Sequence, residues 1–172
     1  MTQISWQNKP DEKGAGMVSK KRKLIIISKE EAVFRMDKNG VWHNEHGKFE
    51  HPKIIKYFNS SIRKDSTGYY VSQKTDEYEE KVYFPYEDTV LFVSDVIVQE
   101  EKDITLALNN NDTIKLDAGK LYNREDNLYL QTPEHRIKFT SRALLKISKF
   151  MEEKNGQLFL IIKGNTYPVQ SA

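Results

Sequence analysis

Cysteine is absent from all 172 residues of this chain, which excludes disulfides, thiolate zinc sites and a cysteine nucleophile. No apolar run approaches the ~18 residues of a membrane span. The opening MTQISWQNKPDEKGAG lacks the charged start and apolar stretch of a secretory signal, so a cytoplasmic location is expected. An excess of one charge is missing too. The 27 basic and 25 acidic residues leave +2, too weak a field to argue for DNA or a membrane as partner. The densest basic run, Lys20-Lys21-Arg22-Lys23, reads as a solvated flank of the apolar LIII after it. What is present, 38% hydrophobic and 11% aromatic residues, is enough to build a core rather than stay disordered.

The length suits one domain or two small ones that share an interface. Residues 1–22 read as a loose arm carrying Pro10, Gly14 and Gly16, with Trp6 as its one anchor. Residues 23–88 read as an N-terminal α+β repeat. Within it, KLIIIS is a strand by its β-branched content, and Asn39-Gly40 is the strongest hairpin signal in the chain. Pro52 opens a helix whose apolar face is Ile54, Ile55, Phe58 and Ile62, with Arg63 and Lys64 at its negative end. Residues 89–172 read as a β-rich repeat of closely spaced strands, TVLFVSDVIVQ, ITLALN, TIKLD and NLYLQ, which predicts antiparallel meanders. A second helix follows, capped by Thr140 or Ser141. Leu144, Leu145, Ile147, Phe150 and Met151 form its apolar face, Asn155-Gly156 closes it, and a terminal hairpin ends the chain.

One phrase occurs twice. Residues 45–58 read EHGKFEHPKIIKYF and residues 134–147 read EHRIKFTSRALLKI. Each falls in an order of strand, turn, strand, helix, Gly turn, strand, over 42–71 and again over 130–160. Lys48-Phe49 aligns with Lys138-Phe139, Ile54-Ile55 with Leu144-Leu145, and Tyr69-Tyr70 with Phe159-Leu160. Internal duplication and a chance likeness of two strand-helix-strand units both account for this, and duplication is the reading adopted. Two copies would pack on each other, and the groove between copies is a common ligand location.

RMDKNGVW, the helix IIKYFNSSIRKD, GYYVSQ and EEKVYF, with the closing GQLFLIIKGNTYPV, resemble a bacterial family known as domain of unknown function 1285. Arg35, Asn39-Gly40, Trp42, Gly47, Phe58, Ile62-Arg63 and Tyr69 to Val71 stand where that pattern has its basic residue, turn, Trp, Gly, helix and Tyr strand. Arg142 and Phe150 fall on its second helix. The sequence departs from the pattern at Asn39 and Val41 and in the longer, more acidic SQKTDEYEEK loop. The resemblance implies a duplicated α+β core, superficially similar to pleckstrin-homology barrels in its C-terminal half. It further implies a role in signal transduction, with a nucleotide-like ligand between the repeats.

Catalytic constellations are sparse. His43, His46 and His51 lie close in sequence, but residues on a hairpin point to opposite faces and no HExxH helix is present, so they read as exposed turn residues. Gly14-Ala15-Gly16 lacks the third Gly of a dinucleotide fingerprint, and no phosphate-binding GxxxxGK[ST] occurs. Asp65-Ser66-Thr67-Gly68 reads as a helix-ending turn, and Asp76, Glu77, Glu79 and Glu80 as a solvated acidic loop.

What remains is a set of cations and aromatics near the expected seam: Trp42, Arg63, Lys64, Tyr69, His135, Arg136 and Arg142. Arginine forks and helix N-termini suit phosphate or carboxylate, and Trp42 or Tyr69 could stack on a base. The expectation is a non-catalytic protein, without cofactor or metal, that binds a small anionic or nucleotide-like ligand; a protein partner stays open. Two alternatives stand beside it. One is an enzyme on a phosphorylated small molecule, using His46 or His135 with a loop carboxylate. The other is a protein- or RNA-contact module, for which no RNP1 motif is found.

Overall fold

The same order of elements occurs twice along the chain. The structure is a computed structural model and describes residues 21–100 and 103–172; residues 1–20 of the expected arm, Trp6 included, lie outside the described residues. After β1 (Lys23–Ile27) comes an antiparallel meander of β2 (Phe34–Met36), β3 (Trp42–Asn44) and β4 (Gly47–Lys48). The helix α1 (Pro52–Ser60) follows, then a second meander of β5 (Ile62–Lys64), β6 (Tyr69–Lys74) and β7 (Tyr78–Tyr83). Strands β8 (Leu91–Val98), β9 (Ile104–Leu108) and β10 (Thr113–Lys115) intervene. Then meander, helix and meander recur: β11 (Leu121–Arg124), β12 (Asn127–Gln131) and β13 (Arg136–Phe139); α2 (Ser141–Ile147); β14 (Met151–Lys154), β15 (Gln157–Ile162) and β16 (Asn165–Pro168). A last strand, β17 (Gln170–Ser171), ends the chain. The architecture of the described residues is α+β with two short α-helices.

Local neighbours pair antiparallel, as the short connections require. Among the described residues, three parallel pairings between distant strands, which local spacing does not predict, tie the elements together. β1 lies against β7, β13 against β8, and β17 against β11. The β8–β13 pairing fuses two meanders into one open seven-stranded sheet of order β10-β9-β8-β13-β12-β11-β17, and no described sheet closes into a barrel. No helix among the described residues is long and apolar enough to cross a membrane.

The Asp37–Gly40 turn shows how sequence places the first meander. Asp37 Oδ1 accepts from the N–H groups of Asn39 (2.8 Å) and Val41 (3.0 Å), and Gly40 adopts φ +79°. A Cβ at Gly40 would stand 2.8 Å from the Phe92 ring, so this turn seats directly on β8. Helix α1 starts at Pro52 as expected and buries Phe58, but it stops at Ser60. Ser61 donates its hydroxyl to the Tyr57 carbonyl at 2.7 Å, and Ile62 turns inward as a strand residue opposite Val71. Arg63 and Lys64 therefore lie on β5, not on the helix end.

Helix α2 is capped by Thr140, whose Oγ1 accepts from the Ala143 N–H at 3.3 Å. Its buried face is Ala143 and Ile147. Leu145 points into solvent, Met151 belongs to β14, and Asn155-Gly156 forms the β14–β15 hairpin turn instead of ending the helix.

One continuous core runs beneath both units. In the first, Phe34, Trp42, Phe58 and Phe84 pack edge-on or tilted with ring centroids 4.8–6.0 Å apart. Burying each such ring contributes on the order of 1.5–3 kcal/mol before ordering entropy is subtracted. In the second, Leu121, Leu130, Ile137, Ile147 and Leu160 are fully buried.

Candidate functional site

Where the two units meet, the chain leaves a cleft of about 1100 Å³. The first unit contributes the turn between β5 and β6. The second contributes the β12–β13 turn, and the β8–β10 meander supplies the third side. The apolar lining is Ile62, Leu91, Leu108, Ile114 and Ile137, all but Ile114 buried and showing 1–5% of their surface. Arg63, Lys64, Asp65, Asp112, Glu134 and His135 add a charged and polar rim. A smaller recess of about 220 Å³ adjoins it, sharing Lys64, Tyr69 and Glu134 and adding Tyr86, Asp88 and Arg136.

Strand pairing fixes the polar groups at the seam. Lys64 is opposite Tyr69 across the β5–β6 ladder, and its ammonium stands 5.2 Å from the Tyr69 ring centroid while it donates to the Glu134 carbonyl. The Tyr69 hydroxyl lies 2.6 Å from His135 Nδ1. Burial, then the nearby Tyr86 and Glu134, pushes the Tyr69 hydroxyl up to about 12, so it keeps its proton at neutral pH. Burial, and secondly the Lys64 cation, holds the His135 imidazole below its ordinary value. Two arrangements satisfy a protonated phenol against a neutral imidazole: Tyr69 donates to Nδ1 and Nε2 carries the ring proton, or Nδ1–H donates to the Tyr69 oxygen. Nε2 stands 3.8 Å from the Glu134 carboxylate, beyond hydrogen-bond reach, so in the first arrangement its N–H is a donor for a ligand.

Of the residues singled out from sequence, the fold brings Arg63, Lys64, Tyr69 and His135 to the main cleft and Arg136 to the adjoining recess. Trp42 is not among them. It is 1% exposed inside the aromatic core, and its Nε1 donates to Asn59 Oδ1 at 2.8 Å, so it cannot stack on a ligand. Arg142 is also elsewhere, exposed at the start of α2 and 3.7 Å from Asp95. Arg63 folds back, donating from Nη1 to the carbonyls of Ser60 (2.8 Å) and Ile62 (2.7 Å), and acts at the rim rather than as an open fork.

Sequence reasoning missed the polar cluster behind the recess. Asp88, with its side chain 11% exposed, accepts from the Tyr129 hydroxyl at 2.7 Å. The ammonium of Lys138, whose side chain is 8% exposed, lies 3.3 Å from Asp88 Oδ2 and donates to the Lys38 carbonyl at 2.9 Å. Arg136 donates to the Asp88 carbonyl at 2.8 Å and stands 3.4 Å from Asp88 Oδ1, which has no hydrogen-bond partner. This cluster joins the first hairpin to the strand that carries the β12–β13 turn. The only sequence signal was the Lys of the repeated phrase, and its burial could not be read there.

The histidines of the first hairpin diverge. His43 Nε2 lies 2.9 Å from Asp37, and the exposed His46 lies 3.3 Å from Glu45. Among the described residues no group of three or more His, Asp or Glu is placed to hold a metal ion.

Fold and cleft together define an α+β protein of two similarly ordered units about a seam. Its fold is similar to that of a solved DUF1285 family protein from Silicibacter pomeroyi DSS-3, with a TM-score of 0.58 and 15% identity over 87% of this chain and 83% of that one. A DUF1285 family protein from Shewanella baltica OS155 matches 68% of this chain and 91% of its own, at 17% identity and a TM-score of 0.47. The Silicibacter pomeroyi neighbour comes from the family whose motifs the sequence resembles, and at 15% identity the likeness is one of fold. No protein-family model and no curated protein matches the chain.

Proposed function

We propose that this is a cytoplasmic, non-catalytic protein of signal transduction that takes a small anionic, nucleotide-like ligand in the cleft between its two units. The observation that carries the reading is the cleft's make-up: a buried aliphatic lining beside the Lys64 ammonium and the His135 imidazole, an Nε2–H donor when Tyr69 donates to Nδ1. An apolar or aromatic body would cover Ile62, Leu108 and Ile137, while a single phosphate or carboxylate would meet the two donors. Asp65, Asp112 and Glu134 share the rim with Arg63 and Lys64, which disfavours a polyphosphate and favours one acidic group.

Thermal-shift measurement over a panel of nucleoside monophosphates, cyclic dinucleotides and aromatic carboxylates tests this. A true ligand at a hundred times Kd should stabilise the fold by about 2.7 kcal/mol, and Lys64→Glu should abolish the shift. Silence across the whole panel would reject the reading.

A second reading, an enzyme on a phosphorylated small molecule, draws on the 2.6 Å Tyr69–His135 contact at the cleft. It requires turnover of a generic aryl phosphate that is lost in Tyr69→Phe and His135→Gln.

A further inference from the structure

His135 is the one described histidine that lines the cleft, and it stands where the two units meet. Its backbone is braced: its N–H donates to the Thr132 hydroxyl at 2.9 Å, and its carbonyl accepts from the Gln131 amide at 3.2 Å. Its ring is held from one side only. Nδ1 lies 2.6 Å from the Tyr69 hydroxyl, while Nε2 makes no hydrogen bond among the described residues and the side chain is 27% exposed.

Several charged and titratable groups face this ring. Lys64 on β5 and Tyr69 on β6 come from the first unit, with Tyr86 behind Tyr69. Glu134 precedes it in its own turn, and Asp112 acts from the β9–β10 turn. The other rim charges are engaged elsewhere: Arg63 with backbone carbonyls and Asp65 with Lys81 and Tyr83. In the free protein burial first, and Lys64 second, weaken the ring's hold on a second proton. The two carboxylates that favour the proton are poor counter-ions, since Asp112 is exposed and Glu134, at 82% exposure, is screened by water.

Protonation changes what the ring offers. When neutral, it presents either an N–H or a lone pair at Nε2, and the lone pair repels an anion. The imidazolium has no such choice: Nδ1–H donates to the Tyr69 oxygen, and Nε2–H becomes a charged donor in the same cleft as the Lys64 ammonium. An anion bound at both cations supplies the counter-charge that the free protein lacks.

We propose that binding of an anion in the cleft is coupled to uptake of one proton from solvent at His135, so that affinity rises as pH falls. The inference rests on the cleft's reading as an anion site and adds how that site is regulated. The sign follows from linkage. The bound state holds the proton more tightly, so the gain in affinity is complete below the free protein's His135 value and lost as pH rises through the bound value.

The probe is 2-naphthalenesulfonate, whose aromatic body suits the aliphatic lining and whose charge is fixed between about pH 5 and 8, the span in which histidine changes charge. Calorimetric titration of the full chain at constant ionic strength should show affinity rising at least about threefold across that span, the effect of half a unit in the His135 value. Saturating probe should raise that value in an NMR titration by the matching amount, tenfold in affinity per unit. His135→Gln should flatten the profile with circular dichroism unchanged, and the wild-type NMR shift decides the matter if that variant fails to fold. Lys64→Glu should abolish binding, which locates the probe in the cleft. Binding of equal strength at every pH, with His135 unmoved, overturns the coupling and leaves the anion site standing. A pH profile that survives His135→Gln overturns it too, because the proton then lies elsewhere. Absence of binding at every pH removes the anion site itself, and the coupling falls with it.

Discussion

Replacing Asp88 by Asn would keep its shape and remove one charge from the cluster behind the recess. Lys138 would then be left buried without a counter-ion, keeping the Lys38 carbonyl at 2.9 Å and the Tyr129 ring 5.7 Å from its ammonium. Removing one partner of a buried pair costs about 3–5 kcal/mol, and weakening the bond from Tyr129 adds roughly 0.5–1.5. The remaining carbonyl bond and the partial exposure of Arg136 offset part of this, so a net loss of about 3 kcal/mol is expected. Urea unfolding at pH 7 should show the loss as a lower midpoint at unchanged m. Asp88→Asn with Lys138→Met should recover most of it, because no charge is then stranded. A single variant losing less than about 1 kcal/mol, or a double variant no better than the single, would refute the reasoning. Burial alone would raise the Asp88 carboxyl, but hydrogen bonds from Tyr129 and Lys138 and the nearby cations hold it below its ordinary value. Its contribution is present above the ordinary carboxyl range and is lost as pH falls through the depressed value.

Gly40→Ala should destabilise by about 1–3 kcal/mol in the same assay, since the residue keeps φ +79° against the Phe92 ring. NMR titration should place His135 below the ordinary 6.5, and Lys64→Gln should raise it by removing the second of the two influences that lower it, burial being the first. The sign for stability follows. The unfolded chain binds this proton more readily, so the histidine's contribution is present above about pH 6.5 and declines as pH falls toward the lowered value.

The turn at Asn39-Gly40, the start of α1 at Pro52 and the Thr140 cap were legible because each is a local event with its own residue chemistry. The end of α1 was not. Ile62 continues the helical stripe of Ile54 and Phe58 and equally suits an inward strand position, and pairing with β6, where the Ser61 carbonyl accepts from the Ser72 N–H and Ile62 faces Val71, decides between them. Strand β14, Met151-Glu152-Glu153-Lys154, carries no apolar alternation to betray it, since three of its four residues are exposed. The parallel pairings β1–β7 and β8–β13 join strands roughly fifty residues apart and leave no local mark. In the cleft, the rim cations were visible by residue type. The burial of Trp42 and of Lys138 was not: Trp42 is enclosed by Phe34, Phe58 and Phe84, and Lys138 by Asp88 and the Lys38 carbonyl, groups that only the folded chain brings together.

The ligand cleft is tested most directly by methyl-resolved NMR on adding whichever monoanion of the panel stabilises the protein most. Resonances of Ile62, Leu108, Ile114 and Ile137 should move together and saturably, with Ile97 and Leu145, on the outer surface, unmoved. Shifts confined to surface methyl groups, or a spectrum unchanged by every compound, would contradict a binding site at the seam.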